Sequence, residues 1–153
     1  MKSMMTLIST NPAACNCLAL RQATRHVTQF YDQFLTPIGL RATQYSILAR
    51  LHRRGPMAIN TLAADLVMDR TTLGRNIRPL QRDGLIAIGS GKNDRRRKEL
   101  RLTPSGLALF EAAQKGWTKA QAGFERNFGV GRAKALRVLL EDVASRELAP
   151  ATD

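Results

Sequence analysis

Arginine, threonine and asparagine side chains recur over one short stretch of the chain in a pattern suited to hydrogen bonding with nucleic-acid bases. The stretch contains Arg70, Thr71, Thr72, Arg75 and Asn76. An arginine can donate paired hydrogen bonds to guanine, and an asparagine can pair with adenine. We therefore predict that Arg75 and Asn76 contact bases, and that Thr71 or Thr72 meets a phosphate or a thymine methyl group.

A second basic cluster lies in the segment 92–98, which reads Lys-Asn-Asp-Arg-Arg-Arg-Lys. We predict that the carboxylate of Asp94 holds the guanidinium of Arg96 through paired, charge-assisted hydrogen bonds. An arginine held in this way at a hairpin tip suits a narrow minor groove, where the negative potential is enhanced. The alternative is a basic loop without fixed geometry. The remaining predicted phosphate contacts of this segment are Lys92, Arg95 and Arg97.

The positive charge is concentrated around these two clusters. Residues 70–101 hold 10 of the 24 Lys and Arg residues and 3 of the 12 acids, so they carry +7 of the formal net charge of +12. Clustered positive charge favours binding to a polyanion. Nucleic acid is the first candidate, and an anionic membrane surface is the second. No run approaches the roughly 20 apolar residues of a membrane span, so we expect a cytoplasmic protein without a membrane partner.

Enzymatic chemistry has little support in the sequence. Gly89-Ser90-Gly91-Lys92 resembles a phosphate-binding loop, but the glycine spacing fails and Asn93 replaces the hydroxyl residue that would hold magnesium. No nucleophile, base and acid form a pattern, so we predict no catalysis and no cofactor. A metal site would require distant residues to converge, and we predict none from Cys15, Cys17, His26 and His52.

The first basic cluster is predicted to lie on a helix. Asp69 is a candidate N-cap, Leu73, Ile77 and Leu80 form an inward face, and Gly84 ends the helix. A shorter helix with Leu62, Ala63 and Leu66 is predicted before it, after an extended piece starting at Ile59 and a cap at Asn60. Two short helices joined by a tight turn form a helix-turn-helix. Apolar runs at 85–88 and 99–102 predict two strands that flank the second basic cluster as a wing.

Two residues of the cluster-bearing helix break helix rules. Gly74 costs about 1 kcal/mol relative to alanine, and Pro79 removes a hydrogen bond and crowds the carbonyl of Arg75. We predict a kink near Arg78.

Longer helices are predicted on both sides of this region. The first runs to a break at Pro37, and Thr43 is a candidate cap for the next. Thr103 and Pro104 begin another helix, which ends at a break that includes Gly129 and Gly131. A last amphipathic helix carries apolar residues from Val130 to Leu148. The apolar stripes of these helices are larger than the small helix-turn-helix region could cover. This predicts a helical dimer interface, with closure of an intramolecular bundle as the alternative.

These elements predict a mainly α, α+β fold: a winged helix-turn-helix whose N- and C-terminal helices form a dimerisation region. Residues 1–14 are predicted to be a flexible arm, and residues 15–153 a single domain. Within it, residues 15–36 and 104–148 are the predicted dimerisation helices, and residues 43–102 the predicted DNA-binding lobe.

The wing and the residues after it match a known pattern. Asp94-Arg95-Arg96, followed by Leu100-Arg101-Leu102-Thr103-Pro104-Ser105-Gly106, resembles the D-x-R…L-x-L-T-x-x-G signature of the MarR (multiple antibiotic resistance regulator) family of bacterial transcription factors. The resemblance covers about residues 16–148. It implies a homodimeric, sequence-specific repressor of near-palindromic DNA, with Arg96 in the minor groove, Asp94 as its buttress and residues 70–76 reading bases. A non-specific architectural nucleic-acid-binding protein is the alternative.

The signal that releases such a repressor is implied only in outline. The resemblance implies that the usual ligand is a small aromatic or phenolic effector, bound between the DNA-binding lobe and the dimerisation helices. Cys17 resembles the peroxide-reactive cysteine of the organic-hydroperoxide-sensing branch, and Tyr31 matches a tyrosine that hydrogen-bonds that thiol. Ala42 stands where the branch has a second tyrosine, and no cysteine follows in the C-terminal helices. Thiol sensing is therefore the alternative to effector binding.

Overall fold

The computed structural model describes residues 9–149 and confirms the predicted winged helix-turn-helix fold. Single turns of 3-10 helix occupy Pro12–Ala14 and Thr36–Ile38. The helices are α1 (Asn16–Leu35), α2 (Ala42–Arg54), α3 (Ile59–Asp65), α4 (Arg70–Arg82), α5 (Pro104–Phe128) and α6 (Val130–Ser145). The strands are β1 (Met57–Ala58), β2 (Ile86–Ser90) and β3 (Lys98–Leu102). Residues 1–8 of the predicted arm lie outside the described residues.

Residues 42–102, from α2 to β3, form what we call the winged lobe. Its three strands pair antiparallel in the order β1-β3-β2, with Leu100 opposite both Met57 and Ile88. Leu48, Leu62, Leu73 and Leu100 are buried in its core, as the helical and strand patterns predicted. Burial of these apolar side chains fixes the orientation of α4 and the wing on one scaffold.

The long helices α1 and α5 cross closely and support the lobe from one side. A β-carbon at Gly116 would lie 2.6 Å from the carbonyl oxygen of Phe34, so only glycine permits this approach. At the start of α5, the hydroxyl of Thr103 accepts from the N–H of Gly106 at 3.0 Å, which confirms the predicted cap. The same hydroxyl donates to the carbonyl of Gly84 at 2.6 Å, and so connects α5 to the end of α4.

Three predicted starting points in the winged lobe are wrong. Thr43 does not cap α2, because Gln44 accepts from the N–H of Arg41 at 3.0 Å and Asp32 accepts from the N–H of Ala42 at 2.7 Å. The extended piece precedes Ile59, since β1 pairs with β3 at Met57–Ala58. Ile59 and Asn60 both belong to α3, which therefore begins without a side-chain cap.

The break between α5 and α6 is also shorter than predicted. Gly129 alone turns the chain, with φ of 102°, and Gly131 lies inside α6. Leu148 lies beyond the end of α6 at Ser145.

Much of α6 faces solvent despite its apolar composition. Its only buried residue among those described is Ala133, whereas Val138 is 58% exposed and Leu139 is 64% exposed. The first half of α1 is similarly uncovered, with Leu18 49% exposed. A single chain therefore leaves an apolar surface on α1 and α6 without cover, so the alternative of a closed intramolecular bundle does not account for α6.

Candidate nucleic-acid interface

The start of α4 is fixed by a carboxylate cap, as predicted. Asp69 accepts hydrogen bonds from the backbone N–H of Thr72 at 2.8 Å and from its hydroxyl at 2.7 Å. These bonds, with the side-chain bond to Thr72 the largest contribution, hold the pKa of Asp69 below its ordinary value. The hydroxyl of Thr72 thus donates its hydrogen bond to Asp69, and Thr71 has the more available hydroxyl for a phosphate.

The outer face of α4 displays most of the predicted contacts. Leu73, Ile77 and Leu80 are buried, as predicted, so the opposite face is free. The exposed residues on that face are Arg70, Thr71, Arg75, Arg78 and Arg82. Because the helix dipole adds partial positive charge near Arg70, this face is suited to an anion.

The side chain of Asn76 is less exposed than predicted. It is partly buried at the edge of the outer face, and its amide nitrogen donates to the carbonyl of Thr72 at 2.9 Å. A paired contact with adenine needs both the amide nitrogen and oxygen. The bond to Thr72 uses one of the two amide hydrogens, so Oδ1 and the second hydrogen remain for adenine while Thr72 fixes the orientation of the amide.

The helix α4 continues through Pro79 to Arg82, so the predicted kink does not divide it into two helices. Its end is built by the backbone: the N–H of Leu85 donates to the carbonyl of Leu80 at 2.8 Å. Gly84 takes φ of 72°, the left-handed conformation that this kind of ending requires. The chain then enters β2 directly, which fixes the wing relative to α4.

The tip of the wing is ordered by its backbone. The N–H of Gly91 donates to the carbonyl of Arg97 at 2.7 Å, and the N–H of Arg97 donates to the carbonyl of Asp94 at 3.1 Å. The carboxylate of Asp94 accepts from the backbone N–H of Arg96 at 2.9 Å. The predicted bond between Asp94 and the Arg96 guanidinium is absent from the ion pairs of residues 9–149. Asp94 shapes the turn, and the Arg96 side chain remains exposed.

The base of the wing contains two charged residues that the sequence did not single out. The guanidinium of Arg101 lies about 3.7 Å from the position of a β-carbon at Gly89, and donates to the carbonyl of Ser90 at 3.4 Å. The carboxylate of Glu99 lies 3.0 Å from the corresponding position at Gly91. Glycines at the end of β2 and just after it, beside long charged residues on β3, were the signal for this packing. These contacts stiffen the hairpin that presents Arg96.

An ion-pair cluster between α2 and α3 was also not predicted. Asp65 at the end of α3 lies 3.0 Å from Arg54 and 3.5 Å from Arg50, both on α2. Because Asp65 belongs to the first helix of the helix-turn-helix, the cluster joins that helix to α2.

The two proposed sensor residues are far apart in one chain. Cys17 is exposed in the first turn of α1, where Cys15 provides the cap through its Sγ, 3.4 Å from the N–H of Leu18. Tyr31 lies fourteen residues further along the same helix, a separation of about 21 Å. Its hydroxyl donates to Gln121 Oε1 at 2.5 Å. Contact between Cys17 and Tyr31 therefore requires two chains.

Among residues 9–149, no three His, Cys, Asp or Glu side chains come together as metal ligands. No helix in this part of the chain is long and apolar enough to cross a membrane.

Comparisons with known proteins agree with this geometry. The MarR family model matches residues 40–98, which include α4, β2 and the basic segment 92–98. The crystal structure of the M. tuberculosis transcriptional regulator MosR is 33% identical, with a TM-score of 0.73 over 86% of this chain and 96% of that one. The chain belongs to the MarR family. The members of this family are transcriptional regulators.

Two curated relatives extend the comparison. The homoprotocatechuate degradative operon repressor of Escherichia coli is 27% identical over 125 residues, covering 82% of this chain and 84% of the repressor. The organic hydroperoxide resistance transcriptional regulator of Bacillus subtilis is 26% identical over 97 residues, covering 63% of this chain and 66% of that regulator.

Proposed function

We propose that this MarR-family regulator is a homodimeric repressor that binds a near-palindromic duplex DNA site. The observation that carries the proposal is the outer face of α4, with its exposed arginines, followed directly by an exposed, backbone-ordered basic wing. The helix enters the major groove and the wing reaches the adjacent minor groove.

Within this proposal, the residues of the two clusters have different roles. Arg75 and Asn76 contact base edges in the major groove. Arg70 and the hydroxyl residues Thr71 and Thr72 contact the phosphates and base edges beside the start of α4. Arg96 enters the minor groove from a turn shaped by Asp94. The remaining wing residues neutralise phosphates: Lys92, Arg95 and Arg97.

The dimer is supported by the apolar surface that one chain leaves uncovered. The exposed large residues of α6 are Val130, Val138, Leu139, Leu140 and Val143. An exposed apolar patch of this kind marks an interaction surface in a soluble protein. We assign residues 15–36 and 104–148 to dimerisation and residues 43–102 to DNA binding, so that a two-fold dimer presents two copies of α4 to two half-sites.

The wing assignment can be tested with a duplex selected from a random-centre library by the wild-type protein. Arg96→Ala should weaken binding to that duplex by about tenfold, because a minor-groove arginine contributes to both affinity and preference. Arg41→Ala removes an exposed arginine outside the segments assigned to dimerisation and DNA binding; it is the matched control for loss of one charge and should bind as the wild type does. Equal binding by Arg96→Ala and wild type would contradict the role of Arg96.

Release by a small aromatic or phenolic effector is the second part of the proposal. A cleft of about 420 Å³ is lined by Phe30, Phe124 and Phe128, together with His26 and Gln33. It lies between α1 and α5, and not against the DNA-binding lobe, where the effector was predicted. Its volume and mainly apolar lining are typical of small-molecule sites. The Escherichia coli relative represses an operon for degradation of homoprotocatechuate, which is a phenolic acid. We expect a compound of this class to release the DNA.

Thiol oxidation at Cys17 is the second candidate for release, supported by the exposed position of Cys17 and by similarity to the organic hydroperoxide resistance transcriptional regulator of Bacillus subtilis. The two candidates can be separated by measuring DNA binding before and after addition of an organic hydroperoxide or of homoprotocatechuate. Release by hydroperoxide in the wild type, lost in Cys17→Ser, favours the thiol. Equal release of both proteins by hydroperoxide would discard Cys17 as the sensor, and release by homoprotocatechuate alone favours the effector.

A further inference from the structure

Gly74 lies in the interior of α4, where glycine is among the least favourable residues. Its backbone is helical and outside the left-handed region, so no special conformation requires glycine. A β-carbon built at Gly74 meets no atom within 4 Å, so no internal packing requires it either. The fold of the chain therefore gives no reason for the absence of a side chain at this position.

Two other helical glycines are explained by the fold, whereas Gly131, in the first turn of α6, also meets no atom within 4 Å and lies in the region assigned to dimerisation. A β-carbon at Gly106 would collide with the carbonyl of Leu85, and one at Gly116 would lie 2.6 Å from the carbonyl oxygen of Phe34. Both residues lie where α5 meets another part of the chain. Gly74 lacks such a neighbour, so a reason for glycine has to come from outside the chain.

The charges beside Gly74 indicate what that neighbour is. Arg70, Gly74 and Arg78 are four residues apart and so lie in one row along α4. Both arginines are exposed, and neither takes part in an ion pair within residues 9–149. The row spans about 12 Å along the helix axis. It consists of bare backbone between two uncompensated guanidinium groups, which suits close approach of a polyanionic strand.

We propose that the sugar-phosphate backbone of duplex DNA approaches α4 most closely at Gly74, with Arg70 and Arg78 contacting phosphates on either side. The inference rests on the proposed DNA-binding function. Any side chain at this position projects towards the strand and holds α4 away from it, which lengthens both arginine contacts. Gly74 is thus a positioning residue for DNA binding, and its helix-weakening effect is retained for that reason.

The test compares Gly74→Ala with Gln81→Ala. Gln81 is exposed on the same helix and is assigned no DNA contact, so Gln81→Ala controls for a change to alanine in α4. Gly74→Ala should raise the urea midpoint of unfolding, because alanine favours a helix. It should nevertheless weaken binding to the selected duplex by about tenfold, while Gln81→Ala binds as the wild type does. A similar loss is expected on an unrelated duplex at low salt, since the backbone is common to both.

Unchanged DNA affinity in Gly74→Ala would overturn the inference. A lowered urea midpoint would also overturn it, because the fold itself would then require glycine. A loss confined to the selected duplex would place a base edge, and not the strand backbone, against Gly74. Failure of the proposed function is distinguishable, because the wild-type protein would then bind the selected and scrambled duplexes equally before any variant is compared.

Discussion

The carboxylate of Asp94 accepts a hydrogen bond from the backbone N–H of Arg96, at 2.9 Å. The pair differs from a salt bridge, because the carboxylate shapes the turn and leaves the guanidinium free. Any neutral side chain with an oxygen at the same position can make this bond, as asparagine does in turns.

Asp94→Asn should therefore preserve binding to the selected duplex, or improve it slightly by removing a negative charge near phosphates. Asp94→Ala removes the acceptor and should weaken binding by about fivefold, the value of one ordinary hydrogen bond. Fluorescence anisotropy titrations of the two variants and the wild type measure the difference. An equal loss in both variants would show that the charge of Asp94 orients Arg96 after all.

Asp69→Ala should lower the stability of the winged lobe, because the N–H of Thr72 loses its acceptor at the start of α4. Asp69→Ser supplies a hydroxyl acceptor and should retain most of that stability. Urea unfolding at neutral pH compares the two variants with the wild type. Equal midpoints for Ala and wild type would contradict the capping role.

The contribution of the Asp69 cap to stability depends on pH, and the lowered pKa of Asp69 gives its direction. The pKa of Asp69 is lowered on folding, chiefly by its bonds to Thr72. Its contribution is therefore complete above the ordinary carboxyl value of 3.8 and is lost as pH falls below that value through the folded pKa. The difference between wild type and Asp69→Ala should shrink over that acid range, and a difference that grows there would contradict this assignment.

Leu139→Glu should convert a dimer to monomers, because it places a charge on the exposed apolar face of α6. Val67→Glu is the control, since Val67 is 71% exposed but lies in the turn before α4. Sedimentation velocity at matched concentrations measures both. A dimer that persists in Leu139→Glu would place the interface elsewhere on the chain.

Tyr31 takes part in a polar chain that joins three helices. Its hydroxyl donates to Gln121, the amide of Gln121 donates to Glu125 at 3.2 Å, and Arg137 donates to the same oxygen of Glu125 at 3.1 Å. Burial raises the pKa of Tyr31, and the Glu125 carboxylate adds to this rise, while Arg137 opposes it. The folded protein therefore retains the neutral phenol above pH 10.0, its ordinary pKa.

Stability should be independent of Tyr31 ionisation below pH 10.0 and should fall as pH rises above it towards the folded pKa. Tyr31→Phe should lose about 1 kcal/mol at neutral pH through the missing hydrogen bond. It should also show a shallower fall in stability above that pH. Urea unfolding measured across the alkaline range tests both expectations, and parallel curves for the two proteins would contradict the raised pKa.

The parts of the fold that depend on apolar periodicity were predictable from the sequence. Leu73, Ile77 and Leu80 determine which face of α4 is buried, and Asp69 and Gly84 mark its two ends. The start of α2 was not predictable in this way, because its acceptors include Asp32, ten residues earlier on another helix. Local sequence carries no signal for a cap that arrives through tertiary contact.

In the candidate site, too, exposure was predictable from the sequence and the side-chain partners were not. Exposure of Arg75 and Arg96 follows from the helix period and the hairpin, and both are exposed. The side-chain partners did not follow from spacing: Asn76 bonds to its own helix, and Asp94 bonds to backbone. Two residues of opposite charge near each other suggested an ion pair, whereas a tight turn offered the carboxylate a closer N–H.

The central claim is that α4 and the wing recognise a particular DNA sequence. The most direct test is the ratio of affinities for the selected near-palindromic duplex and for a scrambled duplex of equal length, measured at physiological salt. We predict a ratio of about 1,000 or more for the wild type, and a smaller ratio for Arg75→Ala because one base contact is lost. A wild-type ratio near one, with affinity that depends steeply on salt, would contradict the claim and identify a non-specific, architectural binder of nucleic acid.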